Sequence, residues 1–105
     1  VFDSVGIGIL VVDRDARVMS ANAMALEILN KPLEDVLNHR ITAAFPQEGR
    51  GRLVNALKEV AKNLNLRRRS LRLKYGSVEL KLVASILRMG NDLDGWVLTM
   101  EDINS

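Results

Sequence analysis

Ile7 to Val12 (IGILVV) is an apolar run rich in β-branched residues, and it ends at Asp13-Arg14-Asp15-Ala16, a polar stretch with turn chemistry. Arg17-Val18-Met19-Ser20 resumes an extended pattern, so the segment predicts a β-hairpin. Ile7, Ile9 and Val11 occupy one face of its first strand, while Leu10 and Val12 occupy the other. A strand with one wet face alternates apolar with polar residues, so this strand is predicted to have both faces covered.

Asn22 has the short acceptor side chain of a helix N-cap. Ala23 to Leu29 follows, made mostly of strong helix formers, with Ala25, Leu26, Ile28 and Leu29 at helical spacing. Asn30, which tolerates a left-handed backbone, and Pro32, which cannot continue a helix, stop it. Pro32 to Leu37 fits a single turn with Asn38 as a second left-handed stop, and Ile41 to Phe45 fits another, closed by Pro46. Gln47 to Arg52, holding Gly49 and Gly51, reads as a flexible lead into one long helix from Arg52 to Asn65. There Leu53, Leu57, Val60 and Leu64 form an apolar stripe at i, i+4, i+7 and i+11, the mark of an amphipathic helix laid on a flat surface.

From Leu66 the period changes to two. Leu71, Leu73 and Tyr75 share one strand face opposite Arg68, Ser70, Arg72 and Lys74, and Gly76-Ser77 makes a turn. Val78, Leu80, Leu82, Ala84 and Ile86 share a face of the next strand, Met89 to Gly95 reads as a polar loop, and Trp96 to Met100 is the last strand. Two strands, a helical middle and three antiparallel strands predict an α+β domain with helices on one face of a sheet.

Composition narrows the chemistry. The 105 residues, 48% hydrophobic and 27% charged, suit one soluble domain spanning residues 1–105, with a core large enough to need no staple. The absence of cysteine excludes disulfides, Cys-ligated zinc and thiolate nucleophiles. A net charge of +2 is less than nucleic-acid binders usually carry, and no apolar run approaches the roughly 18 residues of a membrane span. No nucleic-acid partner and no membrane contact by this segment are therefore expected. No signal peptide is expected from this segment, and a chain that begins at Val1 and ends just after a strand is expected to be a module of a longer protein.

The candidate sites have modest readings. His39, the one histidine, is better read as a solvated loop residue than as a haem ligand or pH sensor. Arg67-Arg68-Arg69, Arg72 and Lys74 form a basic cluster, but a strand divides such a run between two faces, which favours a solvated or salt-bridged sheet face with Glu79 and Lys81 as pair members. Gly6 and Gly8 are not a nucleotide fingerprint, because no helix follows them directly. Trp96 and Tyr75 suit core packing more than ligand contact. No catalytic constellation and no metal-ligand spacing can be assembled, so a regulatory rather than enzymatic domain is expected.

The order and spacing of several segments resemble the PAS family over essentially the whole chain. Gly8-Ile9-Leu10-Val11-Val12-Asp13-Arg14-Asp15-Ala16-Arg17-Val18, then Ser20-Ala21-Asn22-Ala23 and Leu26-Glu27-Ile28-Leu29, look like its first part, with Phe2-Asp3-Ser4-Val5 as its lead-in. Leu37-Asn38-His39-Arg40-Ile41, Phe45-Pro46 and Gly95-Trp96-Val97-Leu98 resemble later parts, and Glu101-Asp102-Ile103-Asn104 is similar to its closing Asp-Ile-Thr signature. The family often has Gly where this chain has Ala16, Asn30 and Asn38. Asn is a mild replacement at a left-handed position, whereas Ala16 there costs on the order of 1 kcal/mol, so that turn is expected to differ.

The resemblance implies a five-stranded antiparallel sheet in the order 2-1-5-4-3 with helices on one face. It also implies a cytoplasmic sensory module, of a histidine kinase in the leading reading, that dimerises and relays a signal to a C-terminal output domain. The alternative is a ligand-free interaction module in a diguanylate cyclase or transcription regulator. Haem sensors of the family generally take their ligand from the long helix, which has no His here, and its flavin light sensors use a Cys that is missing, so no cofactor and a colourless domain are expected. Any pocket is expected between sheet and helices, lined by Leu57, Val60, Leu80, Leu82, Trp96 and Leu98 and suited to an apolar small molecule or to none. Asp102, Ile103 and Asn104 are the expected signal relay, and Leu10, Val12 and Val97 the expected face of a homodimer.

Overall fold

A computed structural model describes residues 6–63, 65–90 and 92–103. Strands β1 (Gly8–Asp13) and β2 (Val18–Ala21) lead into helices α1 (Ala23–Leu29) and α2 (Leu33–Val36), a 3-10 turn at Ile41–Ala44 and helix α3 (Gln47–Lys62). Strands β3 (Arg68–Tyr75), β4 (Val78–Met89) and β5 (Asp92–Asp102) complete one antiparallel sheet ordered β2-β1-β5-β4-β3. The last strand in sequence is thus the middle strand in space. The helices lie on one face, and between the two layers Leu10, Leu29, Phe45, Leu53, Val60, Leu82 and Leu98 form part of one continuous buried cluster.

The caps fall where the side-chain chemistry puts them. Asn22 stays extended and its Oδ1 accepts from the Ala25 N–H at 2.9 Å, opening α1. Asn30 closes the helix in the left-handed conformation at φ 55, and Asn38 takes φ 66. Ala16 also takes a left-handed φ of 63, so the expectation of a different turn is corrected. Asp13 holds that backbone in place: its Oδ1 accepts from the Asp15 and Arg17 N–H groups at 2.9 and 3.0 Å, and its carbonyl accepts from the Ala16 N–H.

Two boundaries differ from the sequence reading. The segment read as a flexible lead is the first part of α3, which starts at Gln47 behind Pro46. Gly49 sits at a close approach: a Cβ there would lie 3.0 Å from Leu73 Cδ2, so a larger residue would need that side chain to give by a few tenths of an ångström. The polar segment Met89 to Gly95 is mostly strand, because β4 and β5 continue pairing through Arg88–Leu93 and Met89–Asp92 beyond a bulge at Leu87 and Arg88. Polar residues there suit a hairpin end that projects into solvent. Leu64, placed on the helical stripe by its spacing, lies outside the described residues.

Candidate functional site

The face of the sheet away from the helices carries rows of side chains fixed by the strand register. One row runs Ile9, Thr99, Val83, Ser70, and the next runs Ser20, Val11, Val97, Ser85, Arg68. Ile9, Val11, Val83 and Val97 are each half-buried, giving an apolar strip across three strands that no helix among the described residues covers. Leu10 and Val12 do not belong to this face. They pair with Leu98 and Trp96, point toward the helices and are completely buried, so their assignment to a dimer face is corrected. Of the three residues expected there, Val97 alone lies on the outer face, and sequence reasoning missed Val83 on β4 as its neighbour.

The six expected pocket liners do come together. Leu57 and Val60 on α3, Leu80 and Leu82 on β4, and Trp96 and Leu98 on β5 are all buried members of the central cluster. The clefts described lie elsewhere and open to solvent. One of about 800 Å³ sits between the start of α3 and the β3–β4 hairpin, with Glu48, Arg52, Arg72, Lys74 and Glu79 among its walls. Another of about 370 Å³ lies beside Met24, Ile28, Val78 and Asp102. The expectation that any pocket would be an apolar space between sheet and helices is corrected for these clefts, which form where element ends diverge at the surface.

Single polar bonds tie the helical layer to particular strands. The Trp96 indole N–H donates to the Leu57 carbonyl at 2.9 Å, joining β5 to α3. The Tyr75 hydroxyl donates to the Leu29 carbonyl at the end of α1 at 2.6 Å, and burial raises the pKa of this phenol. Tyr75 also meets Phe45 edge to face, with ring centroids 6.2 Å apart. Asp102 pairs with Leu80 at the end of β5, and the Ile103 N–H donates to the Glu79 carbonyl. Two of the three residues expected to relay a signal are therefore anchored to β4; Asn104 lies outside the described residues.

The charged candidates have local roles. His39 is exposed, and its carbonyl accepts from the Val18 N–H at 2.9 Å, which covers part of the β2 edge. Arg69 pairs with Glu59 on α3 at 3.1 Å rather than with Glu79, because its side chain lies on the helical face. Both partners are about half exposed, and such pairs contribute little stability. Arg72 stands opposite Lys81 in the β3–β4 ladder, a juxtaposition of like charges, while the register sets Glu79 opposite Lys74 and Glu101 opposite Lys81. Among the described residues no group of three His, Asp or Glu side chains comes together, and no helix is long and apolar enough to cross a membrane.

Comparison with known proteins fits this architecture. A family described as PAS fold matches residues 2–105. The chain belongs to the PAS family. No curated protein matches it. Among solved structures, the PAS domain of a protein from Colwellia psychrerythraea superposes with a TM-score of 0.81 at 13% identity, covering 97% of this chain and 90% of that one. A sensory box sensor histidine kinase from Vibrio cholerae gives 0.76 at 13% identity, covering 97% and 85%. The PAS domain of the histidine kinase ThkA gives 0.71 at 21% identity, covering 91% and 98%. At these identities the likeness establishes the fold. The expected sheet order and the single helical face are those of the PAS domain described here.

Proposed function

We propose that this PAS domain is the sensory relay module of a cytoplasmic sensor histidine kinase. In this reading it forms a homodimer through the outer sheet face and passes a signal along β5 to a C-terminal output domain. One observation carries the reading: β5 is at once the middle strand, the strand bound to α3 through Trp96 and Leu57, and the strand that ends at Asp102, just before Ile103. A shift of α3 against the sheet therefore loads the strand nearest the exit. Resemblance to the sensor histidine kinase structures adds support, as does the apolar strip on β1, β5 and β4. The test uses the full-length protein: Asp102→Ala is expected to alter the dependence of output on signal while the domain's melting temperature changes by only a few degrees. Unchanged signal dependence would remove the relay role.

A second reading, a ligand-free interaction module in a diguanylate cyclase or transcription regulator, is favoured by the burial of all six expected pocket liners in the core. Thermal shifts with a panel of apolar small molecules separate the two. A saturable rise in melting temperature supports a ligand-sensing domain, and none at millimolar concentrations supports the second reading.

A further inference from the structure

The two edges of the sheet are treated differently. At β2 the Val18 N–H donates to the His39 carbonyl and the Val18 carbonyl accepts from the Asn38 N–H, so a loop closes that edge. At the other edge β3 runs for eight residues with no strand beyond it among the described residues. The β3–β4 ladder has no bulge, and the two-residue turn at Gly76-Ser77 makes Tyr75 and Val78 a hydrogen-bonded pair. Stepping back in twos, Leu73, Leu71 and Arg69 also bond β4, while Arg68, Ser70, Arg72 and Lys74 turn their N–H and C=O groups away from the sheet. A contact from α3 agrees with this phase: the Arg52 guanidinium donates to the Arg72 carbonyl. Among the described residues that is the one bond made to this outward row.

We infer that this edge takes up an acidic, extended segment of another protein as a sixth strand, antiparallel to β3 in the groove between β3 and α3. Two clefts flank Arg52 along that groove: one of about 800 Å³ beside Gly49, Leu73 and Lys74, and one of about 240 Å³ beside Asn55, Ala56 and Ser70. Main-chain groups left open on such an edge supply affinity, and the side chains around it choose the occupant. From Arg67 to Lys74 the chain carries Arg67, Arg68, Arg69, Arg72 and Lys74 and no acid. Of the acids beside the groove, Glu59 is bonded to Arg69, Glu48 lies in the first turn of α3, and Glu79 stands opposite Lys74 and diagonal to Arg72. Directly across the ladder Arg68 meets Ser85 and Arg72 meets Lys81, which has Glu101 on its other side. A second β3 added here would set arginines against arginines, and like charges on an edge oppose such pairing. In an antiparallel pair, residues opposite each other share a face. Residues bonding Arg68, Ser70, Arg72 and Lys74 therefore place their own side chains beside these cations, so acids at alternate positions complement the edge. Arg52 yields the Arg72 carbonyl to an N–H of the incoming strand.

The test uses the 105-residue chain and a fluorescein-labelled ten-residue peptide of alternating Glu and Val, followed by fluorescence anisotropy at neutral pH. Saturable binding is expected. N-methylation of the Glu residues keeps every charge but removes the N–H groups aimed at β3, and should weaken binding about tenfold or more. N-methylation of the Val residues, whose N–H groups face away, should weaken it by no more than about threefold. Ser70→Pro removes an edge N–H that β4 does not use, so the domain should still melt cooperatively while binding falls about tenfold or more. R68E/R72E should lose binding as strongly and keep its fold, because the carboxylate replacing Arg72 stands opposite Lys81. Binding that survives methylation of the Glu residues would be charge attraction alone and would overturn strand addition. Absence of binding at millimolar peptide would overturn the site. A wild-type dimer dissociated by Ser70→Pro in sedimentation would give the edge to a second copy and overturn the acidic occupant.

Discussion

Asn22 Oδ1 accepts the Ile9 N–H at 2.9 Å while accepting the Ala25 N–H at the same distance, so one side-chain oxygen joins the edge of β1 to the first turn of α1. Its Nδ2 completes the link by donating to the Ile7 carbonyl at 3.0 Å. Asn22→Ala removes a helix cap and leaves two strand groups without these partners, a loss of about 2–3 kcal/mol. Asn22→Asp keeps the two acceptances and is expected to lose less than half as much. Urea denaturation of the three chains checks this, and equal losses would show that the oxygen is not what holds the junction.

Ala16 is expected to be an improvable position. Its left-handed backbone strains an L-residue by about 1–2 kcal/mol, and glycine gives back part of that relief as unfolded-chain entropy. Ala16→Gly should therefore stabilise the domain by about 0.5–1 kcal/mol. Asp13→Ala should do the reverse, since the Asp15 and Arg17 N–H groups lose their acceptor. Thermal melts of both variants decide it; a glycine variant that melts lower would mean the turn is not strained.

These two junctions mark what could be read from the sequence. The caps at Asn22, Asn30 and Asn38 were legible because short polar side chains act on amides within a few positions of themselves. The family resemblance supplied the strand order. The second task of Asn22, on β1, was not legible, because it spans 13 positions and depends on where the sheet places the helix. Facing was lost for a similar reason. Leu10 and Val12 pair with Leu98 and Trp96, two residues that the sequence placed correctly in the interior, yet a one-residue difference in register exchanges the faces of an all-apolar strand. Gly49 was legible as a glycine but not as the place where a helix closely approaches Leu73.

Tyr75 makes stability depend on alkaline pH. Burial raises its pKa above the ordinary value of 10.0, so the folded state holds the phenol proton more tightly than the unfolded chain does. The neutral hydroxyl is also the form that donates to the Leu29 carbonyl. This contribution is fully present below pH 10 and is lost as pH rises through the folded-state pKa. Tyr75→Phe should cost about 1 kcal/mol near neutral pH, and the difference from wild type should shrink as pH is raised above 10. Denaturation series at pH 8 and pH 11 measure it; a constant difference would mean that the phenol is not the group responsible.

The corrected facing of β1 separates folding from association. Leu10 is completely buried against α1 and the central cluster, so Leu10→Lys must either bury an ammonium or open the core, each a loss of more than about 3 kcal/mol and enough to threaten a small domain. Val97 lies one strand away at almost the same level but on the outer face, half-buried and with no helix above it among the described residues. Val97→Lys can extend its ammonium into water in a single copy, so its melting temperature as a monomer should fall by only a few degrees. In a dimer formed through this face the same lysine would lose its water without gaining a partner. Circular dichroism and equilibrium sedimentation together give the test: Leu10→Lys is expected to lose cooperative unfolding, while Val97→Lys keeps it and sediments as a monomer. A folded Val97→Lys chain that remains dimeric would move the interface away from this face.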